Sequence, residues 1–318
     1  MDTPIMDALA CRRRSPSGSS TESFIRETFA MRKSIFAAAL AASSLPGIAV
    51  AQQAAAPAPD HVVTGNIALV SEYRFRGIAQ TFKKPALQGG FDYSHAPSGL
   101  YAGNWNSNVN EGAGFPEGNL EMDFYGGWKK SWGDFGIDIG AIYYYYPGTN
   151  ARLANGTAFV SPRNAADIHT GRVDNGEIYI GGSWKWISLK YYHAVTDYFS
   201  LPGTKGSNYL DLSASYDLGG GWGINGHLGR FNLKGWHVGT DATNGDYTDW
   251  KIGVTKDING WVFGAAYIDT SAKGSCNAAN PGFYCFANQL PNAGIGSGTA
   301  SFKDAGKGTL VLSVSKTF

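Results

Sequence analysis

From Gly308 to its last residue, Phe318, the chain alternates. Leu310, Leu312, Val314 and Phe318 fall on one side of an extended strand, and Thr309, Ser313, Ser315 and Thr317 on the other. A period of two with one apolar face is the mark of a strand that separates two environments. The same period recurs upstream. Leu210, Leu212, Ala214, Tyr216 and Leu218 oppose Asp211, Ser213, Ser215 and Asp217, while Leu120, Met122, Phe124 and Trp128 oppose Glu121, Asp123 and Lys129. Ile178, Ile180, Trp184 and Trp186 oppose Glu177, Ser183 and Lys185, and Trp250, Ile252 and Val254 oppose Asp249, Lys251 and Thr255. A helical period fits none of these segments. A closed sheet with lipid outside and water inside accounts for a pattern sustained over most of the chain.

The front of the chain agrees with export. Met31-Arg32-Lys33 is basic, Ile35–Leu45 is apolar but too short to span a bilayer as a helix, and Ala49-Val50-Ala51 is a small-residue cleavage site. This gives four segments: 1–30, an upstream extension outside the native protein; 31–51, a signal peptide; 52–61, a flexible periplasmic leader rich in Ala and Pro; and 62–318, the barrel. Residues 1–51 carry six Lys and Arg against four Asp and Glu, which leaves 20 basic and 21 acidic side chains after them. That balance gives no reason to expect a nucleic-acid partner. After Ala51 no run is apolar for long enough to make a transmembrane helix. Cys11 lies in the discarded leader, so Cys276 and Cys285 remain as a pair in an oxidising compartment. No histidine lies near them, and a disulfide between the two is expected rather than a metal site.

Twelve strands are predicted, beginning with a long one over Val62–Arg76 and ending with Gly308–Phe318. Their connections alternate. Short ones fall at Ala96–Ser98, Ser131–Asp134, Trp186–Ile187, Gly219–Gly221 and Ile258–Asn259, and long ones at about 77–85, 110–119, 147–175, 199–206, 233–246 and 271–307. Short periplasmic turns and long outside loops are the habit of outer-membrane barrels. A soluble β-sandwich could share the strand spacing. It would have no need for Trp128, Trp132, Trp184, Trp186, Trp222 and Trp261 to gather by the short turns, where an interfacial belt would sit. The fold class expected is all-β: a transmembrane antiparallel β-barrel of about 12 strands.

Several stretches carry a family resemblance. Ser71-Glu72-Tyr73-Arg74-Phe75-Arg76-Gly77-Ile78-Ala79-Gln80-Thr81, followed by Pro85–Asp92, resembles the amino-terminal signature of the TorF family of proteobacterial porin-like proteins. Gly99-Leu100-Tyr101-Ala102-Gly103-Asn104-Trp105-Asn106-Ser107-Asn108-Val109 is similar to that family's next block, and Glu121–Trp128 and Tyr143–Gly148 continue it. The resemblance implies an outer-membrane location and a barrel. It supplies no ligand and no catalytic residues, and the stretch with Cys276 and Cys285 has no counterpart in it.

Glu72, Arg74 and Arg76 share the polar face of the predicted first strand with Thr64 and Asn66. Charges there cannot face lipid cheaply. They can form a selectivity site near a constriction, one side of a salt-bridge ladder with Asp92, Glu121 or Asp123, or both at once. Pore-lining candidates are therefore Glu72, Arg74, Arg76, Asp92, Asp123, Asp138, Lys185, Lys190 and Asp211, with Glu177, Asp217, Asp249 and Lys251 on the same polar faces. Their mixed sign argues for weak ion selectivity or a partly packed interior. Lys83-Lys84 could meet lipopolysaccharide phosphate or be plain solvated charge. Asn104–Asn108 with Asn110 could bind a sugar or be a polar strand end. His193 and His227 invite a lipid-hydrolase reading, but neither has a serine on the same face of its own strand, and no enzyme is expected. The function expected is passive diffusion of small hydrophilic solutes through a bacterial outer-membrane barrel. Its alternatives are a plugged structural or adhesive barrel working through its loops and, behind that, the hydrolase. Partners expected are outer-membrane lipid and lipopolysaccharide, a small solute and the outer-membrane assembly machinery. No cofactor and no metal are expected.

Overall fold

The computed structural model describes residues 59–151, 171–235, 245–272, 274–276, 282–287 and 301–318. The export segment, its cleavage site and the leader through residue 58 lie outside the described residues.

Twelve antiparallel strands close into one barrel. They are β1 His61–Val70, β2 Ala86–His95, β3 Leu100–Asn108, β4 Leu120–Trp132, β5 Phe135–Tyr145, β6 Asp174–Trp184, β7 Ile187–Ala194, β8 Asn208–Gly219, β9 Trp222–Asn232, β10 Tyr247–Ile258, β11 Trp261–Thr270 and β12 Thr309–Thr317. Each pairs with its neighbour in chain order. β12 then returns to β1, with Asn66 opposite Thr317 and Val70 opposite Ser313. Phe318 and Gly65 exchange two more backbone hydrogen bonds at 2.8 and 3.2 Å. Closure matters because an open edge would leave a row of unpaired N–H and C=O groups, which lipid cannot satisfy.

The outer face is apolar. Val63, Ile67, Leu69, Leu87, Phe91, Ile178, Ile180, Leu210, Leu212, Leu228, Ile252, Phe263, Leu310 and Leu312 are all exposed. Water would penalise a continuous band of this size, whereas hydrocarbon solvates it. Both edges of the band are aromatic. At the loop end Tyr143 stacks on Tyr145 and Trp250 lies against Tyr267. At the short-turn end four lysine ammonium groups sit over indole rings: Lys130 over Trp132 at 5.7 Å, Lys185 over Trp184 at 5.0 Å, Lys256 over Trp222 at 4.9 Å and Lys316 over Trp261 at 5.0 Å. Amphipathic pairs of this kind keep the ring in an interface and the charge in water. They explain why every short turn carries a tryptophan close by.

The inner face alternates small with large. Tyr125 lies where a side chain at Gly103 would be, Tyr179 covers Gly140, and Tyr209 covers Gly229. Glycines in the wall thus make room for tyrosines that project into the lumen.

The structure departs from the predicted strands in one place that matters. β1 ends at Val70, and the chain does not run on as a strand to Arg76. Ser71 caps the strand through its amide to Leu312 O, at 2.8 Å, and its hydroxyl from Leu312 N, at 2.9 Å. The next connection, 71–85, then turns inward.

Candidate functional site

Glu72 through Phe82 are all buried, although they belong to a loop. The segment enters the lumen as a miniature hairpin, with Arg74 paired to Ala79 and Phe75 to Ile78. Gln80 N donates to Tyr73 O at 2.9 Å and extends the ladder outward. The two residues at the tip, Arg76 and Gly77, have φ of 48° and 79°. Positive φ at both central positions is what the tightest hairpin turn requires. Glycine accepts it freely, and a side chain at Gly77 would run into Thr270 and Asp249 on the wall. Arginine at the other position is strained, so its surroundings must offset the cost.

They do so through charge. Arg76 Nη1 and Nη2 donate to the two carboxylate oxygens of Glu177 on β6 at 2.9 and 2.7 Å. Its guanidinium also lies over Tyr209, Phe75 and Tyr192, at 4.4, 4.8 and 5.0 Å from their ring centroids. Burial is the largest single influence and works against the Arg76 charge, but Glu177 together with Tyr198 and Tyr144 overcomes it, and the pKa of Arg76 is raised well above its ordinary value. Tyr73 makes the second anchor. Its hydroxyl donates to Glu121 on β4 at 3.1 Å, and its ring meets Trp105 edge-on at 5.4 Å. Burial, then the Glu121 carboxylate, push the Tyr73 phenol far above its usual range, so it remains a donor. Arg74 makes the third. It pairs with Glu72 at 2.8 Å and donates to Ala305 O and Lys307 O, tying the hairpin to the last loop.

The other sequence candidates separate by height in the barrel. Asp123, beside Glu121, is fully buried, and neither of its carboxylate oxygens has a hydrogen-bond donor among the described residues. Asp138 on β5 and Lys190 on β7 pair at 2.6 Å along the wall, over Gly181 of the intervening β6, and Tyr101 donates to the same carboxylate at 2.5 Å. Asp92 accepts from Tyr125 at 2.6 Å. Lys185 is not brought to the lumen. It occupies the turn between β6 and β7 with φ of 53°, exposed, because its neighbour Trp184 holds it in the interfacial belt. Asp217 also ends at the short-turn rim, where it caps Gly219 N. The asparagines of β3 are used up locally: Asn104 on Asp123 O, Asn106 on Gly89 O and Asn108 on Pro85 O.

His193 faces outward beside Tyr191. His227 faces inward, and a serine does reach it from the adjacent strand, since Ser213 lies directly opposite and its Oγ is 3.2 Å from Nδ1. That serine nevertheless donates to Asp211 at 2.5 Å. Both imidazole nitrogens face carboxylates, Asp249 at 2.9 Å and Asp211 at 3.3 Å. A ring that serves two carboxylates has no lone pair left to take a serine proton.

Two cavities flank the hairpin. One, about 70 Å³, lies on its lumen side against Glu72, Arg74, Gln88 and Lys251. The other, about 110 Å³, lies above it among the outer loops and is lined mainly by aromatic rings. Cys276 and Cys285 form a disulfide with their Cα atoms 5.2 Å apart, behind one wall of that upper cavity.

Sequence reasoning missed the inward hairpin because its polar alternation imitates a strand. One signal was present. Val62–Arg76 exceeds the roughly 9–11 residues a tilted strand needs to cross a bilayer, and its excess ends on Gly77.

No curated protein matches this chain. Among solved structures it resembles OccAB4 of Acinetobacter baumannii, with 10% identity over 80% of this chain and 62% of that one and a TM-score of 0.35. OmpT of Vibrio cholerae matches with 9% identity over 81% and 97% and a TM-score of 0.38. The outer membrane protein OprD from Pseudomonas aeruginosa matches with 10% identity over 74% and 59% and a TM-score of 0.33. The chain thus spans less than two thirds of OccAB4 and OprD, and overlaps this loose carry no weight for function. The family match is of another kind. It runs from residue 53 to residue 318 and does not itself carry the TorF name. Through that match the chain belongs to the family described as "Bacterial protein of unknown function (Gcw_chp)".

Proposed function

We propose that this protein is an outer-membrane channel for small hydrophilic solutes, constricted by its own first loop. The observation that carries the reading is the hairpin 72–82, buried inside a closed barrel and pinned by Arg76 to Glu177. Export and the exposed apolar band favour the outer membrane as its location. A twelve-stranded barrel is wider than the eight-stranded kind that side chains can fill. Its lumen therefore needs an inserted segment to narrow it, and the hairpin is such a segment. The polar groups below it, Asp138, Lys190, Asp211 and Lys251, give a passing solute a wet, mixed-charge wall.

The test is conductance in a planar bilayer. Wild type is expected to conduct weakly or in rare openings. Replacing Ser71–Pro85 with Asn-Gly, a two-residue turn that joins the paired Val70 and Ala86 directly, is expected to give a larger, steady conductance. If both proteins fold and neither conducts, the barrel is plugged throughout, and the structural reading, action through the outer loops, takes its place.

A further inference from the structure

We propose that the cavity above the hairpin is a binding site for one small apolar molecule, of the size and shape of a monocyclic aromatic. Nothing in this inference requires the barrel to conduct.

The site is assembled rather than incidental. Its floor is Phe75 and Ile78 of the hairpin, and its walls come from the other outer loops, including Phe115, Phe199, Leu233 and Phe283. Segments far apart in sequence place apolar side chains on one small volume. Four of the five polar side chains that line it already make hydrogen bonds, and the fifth, Tyr247, meets Tyr284 edge to face at 5.2 Å. The Tyr198 hydroxyl takes a hydrogen bond from Arg76 at 3.4 Å, the Tyr284 hydroxyl donates to Gly245 O, the Gln80 amide donates to Ile78 O at 2.9 Å, and Ser200 Oγ donates to Arg172 O at 2.8 Å. A sugar or an ion would therefore lose its water with little in return. Water itself needs two to four polar partners to stay in such a place.

Size and shape narrow the occupant. A volume of about 110 Å³ is of the order of the engineered apolar cavity of ~150 Å³ that takes up benzene. It is too small for a lipid tail or a disaccharide. The rings around it already meet edge to face: Phe75 on Phe199 at 78°, and Phe283 on Tyr284 at 77°. One more ring can join such a cluster in the geometry aromatic quadrupoles prefer. The wall also stores strain, since Phe199 and Ser200 are consecutive non-glycine residues at φ of 47° and 60°. Strain of that kind concentrates where a ligand or a switch is held.

The experiment uses the folded full-length protein in detergent and 4-fluorotoluene as probe, followed by fluorine NMR. Partition into micelles is linear in concentration, so the site appears as a saturable component that excess toluene displaces and excess glucose does not. Ala113→Phe and Ala151→Phe each fill the cavity from a buried loop position. Each is expected to weaken the saturable component at least tenfold while leaving the heat-dependent gel shift of a closed barrel intact. No saturable component in wild type overturns the proposal, as does displacement by glucose or full retention in a folded filled variant. Should neither filled variant fold, Phe199→Ala, which enlarges the site, is expected to shift preference toward 4-fluoro-isopropylbenzene, and an unchanged preference overturns it.

Discussion

Arg76, at the tip of the first loop, holds Glu177 on the far wall of the barrel through two parallel hydrogen bonds of 2.9 and 2.7 Å. The pair joins residues 101 positions apart and has almost no exposure on either side chain. Two charges are out of water, each the main compensation of the other. Such a pair is weak evidence for stability but a firm device for position, because no other geometry satisfies both partners.

Arg76→Ala should therefore release the hairpin more than it harms the wall. Breaking one side of a buried pair costs about 3–5 kcal/mol, chiefly because the other charge is stranded. Glu177 can escape that cost only if water enters, which means displacement of the hairpin. The expected result is a rise in single-channel conductance with the barrel still closed. Arg76→Ala combined with Glu177→Gln should recover part of the lost thermal stability, as a double-mutant cycle would read. Equal conductance of Arg76→Ala and wild type would mean that the pair does not hold the loop.

The wall of this barrel was legible because each strand is solved locally. Leu210-Asp211-Leu212-Ser213 needs only a lipid side and a water side to fix its faces, and its register follows from a short turn at Gly219–Gly221. The hairpin was not legible, because Tyr73-Arg74-Phe75-Arg76 carries the same alternation for a different reason. Phe75 forms part of the floor of the upper cavity and Tyr73 packs on Trp105, while Arg74 pairs with Glu72 and Arg76 with Glu177. Only the third dimension separates those cases. Lys185 misled in the same way. Its parity on β6 points to the lumen, but Trp184 beside it draws the turn into the interface. Ser213 and His227 show a further limit: their contact crosses two strands, and a search along one strand cannot find it.

Closure of β12 on β1 predicts heat-modifiable mobility. Every strand edge is paired, so detergent has no edge from which to open the sheet. Unboiled protein should migrate differently from boiled protein and show β-type circular dichroism. The closing seam, where Leu69 lies opposite Val314, is tested by Leu312→Pro, which removes the amide that donates to Ser71 Oγ. This change should lower the temperature at which the two gel forms interconvert. An unchanged temperature would put the weak seam elsewhere.

The disulfide should act on the upper cavity and not on the wall. Cys285 begins a short strand, Cys285–Ala287, paired to Phe302–Asp304, and Phe283, Tyr284 and Phe286 of the cavity lie on or beside it. A bridge closing so short a loop contributes about 2–4 kcal/mol, all of it local here. Cys276→Ser with Cys285→Ser should speed proteolysis between residues 272 and 301 and weaken 4-fluorotoluene binding, with gel mobility unchanged. Free thiols in protein taken from its native compartment would show that the bridge is not used.

His227 should prove structural. With Asp249 and Asp211 on its two nitrogens, it ties β9 to β8 and β10. His227→Gln is expected to lower thermal stability by about 1–3 kcal/mol, the cost of leaving a buried acceptor unsatisfied. Neither wild type nor Ser213→Ala should hydrolyse p-nitrophenyl butyrate above the rate of detergent alone. Hydrolysis that Ser213→Ala abolishes would revive the lipid-hydrolase reading.

The last prediction concerns ion preference, with Glu72 and Arg74 as the charges at issue. They pair at 2.8 Å on the lumen side of the hairpin and border the lower cavity together with Lys251. Paired, they present little net field. Arg74→Gln removes the positive member and leaves Glu72, so a passing cation gains and an anion loses in a narrow, poorly screened passage. Glu72→Gln does the reverse, and Lys251→Gln should follow Arg74→Gln in sign. The measurement is the reversal potential across a salt gradient, taken in the background where Glu177 still holds Arg76, so that the hairpin stays seated. Shifts of opposite sign for the two members of the pair are expected. Identical reversal potentials in all three variants of a conducting protein would place the ion path away from this face of the hairpin, and the lower pair, Asp138 with Lys190, would then be the next charges to neutralise.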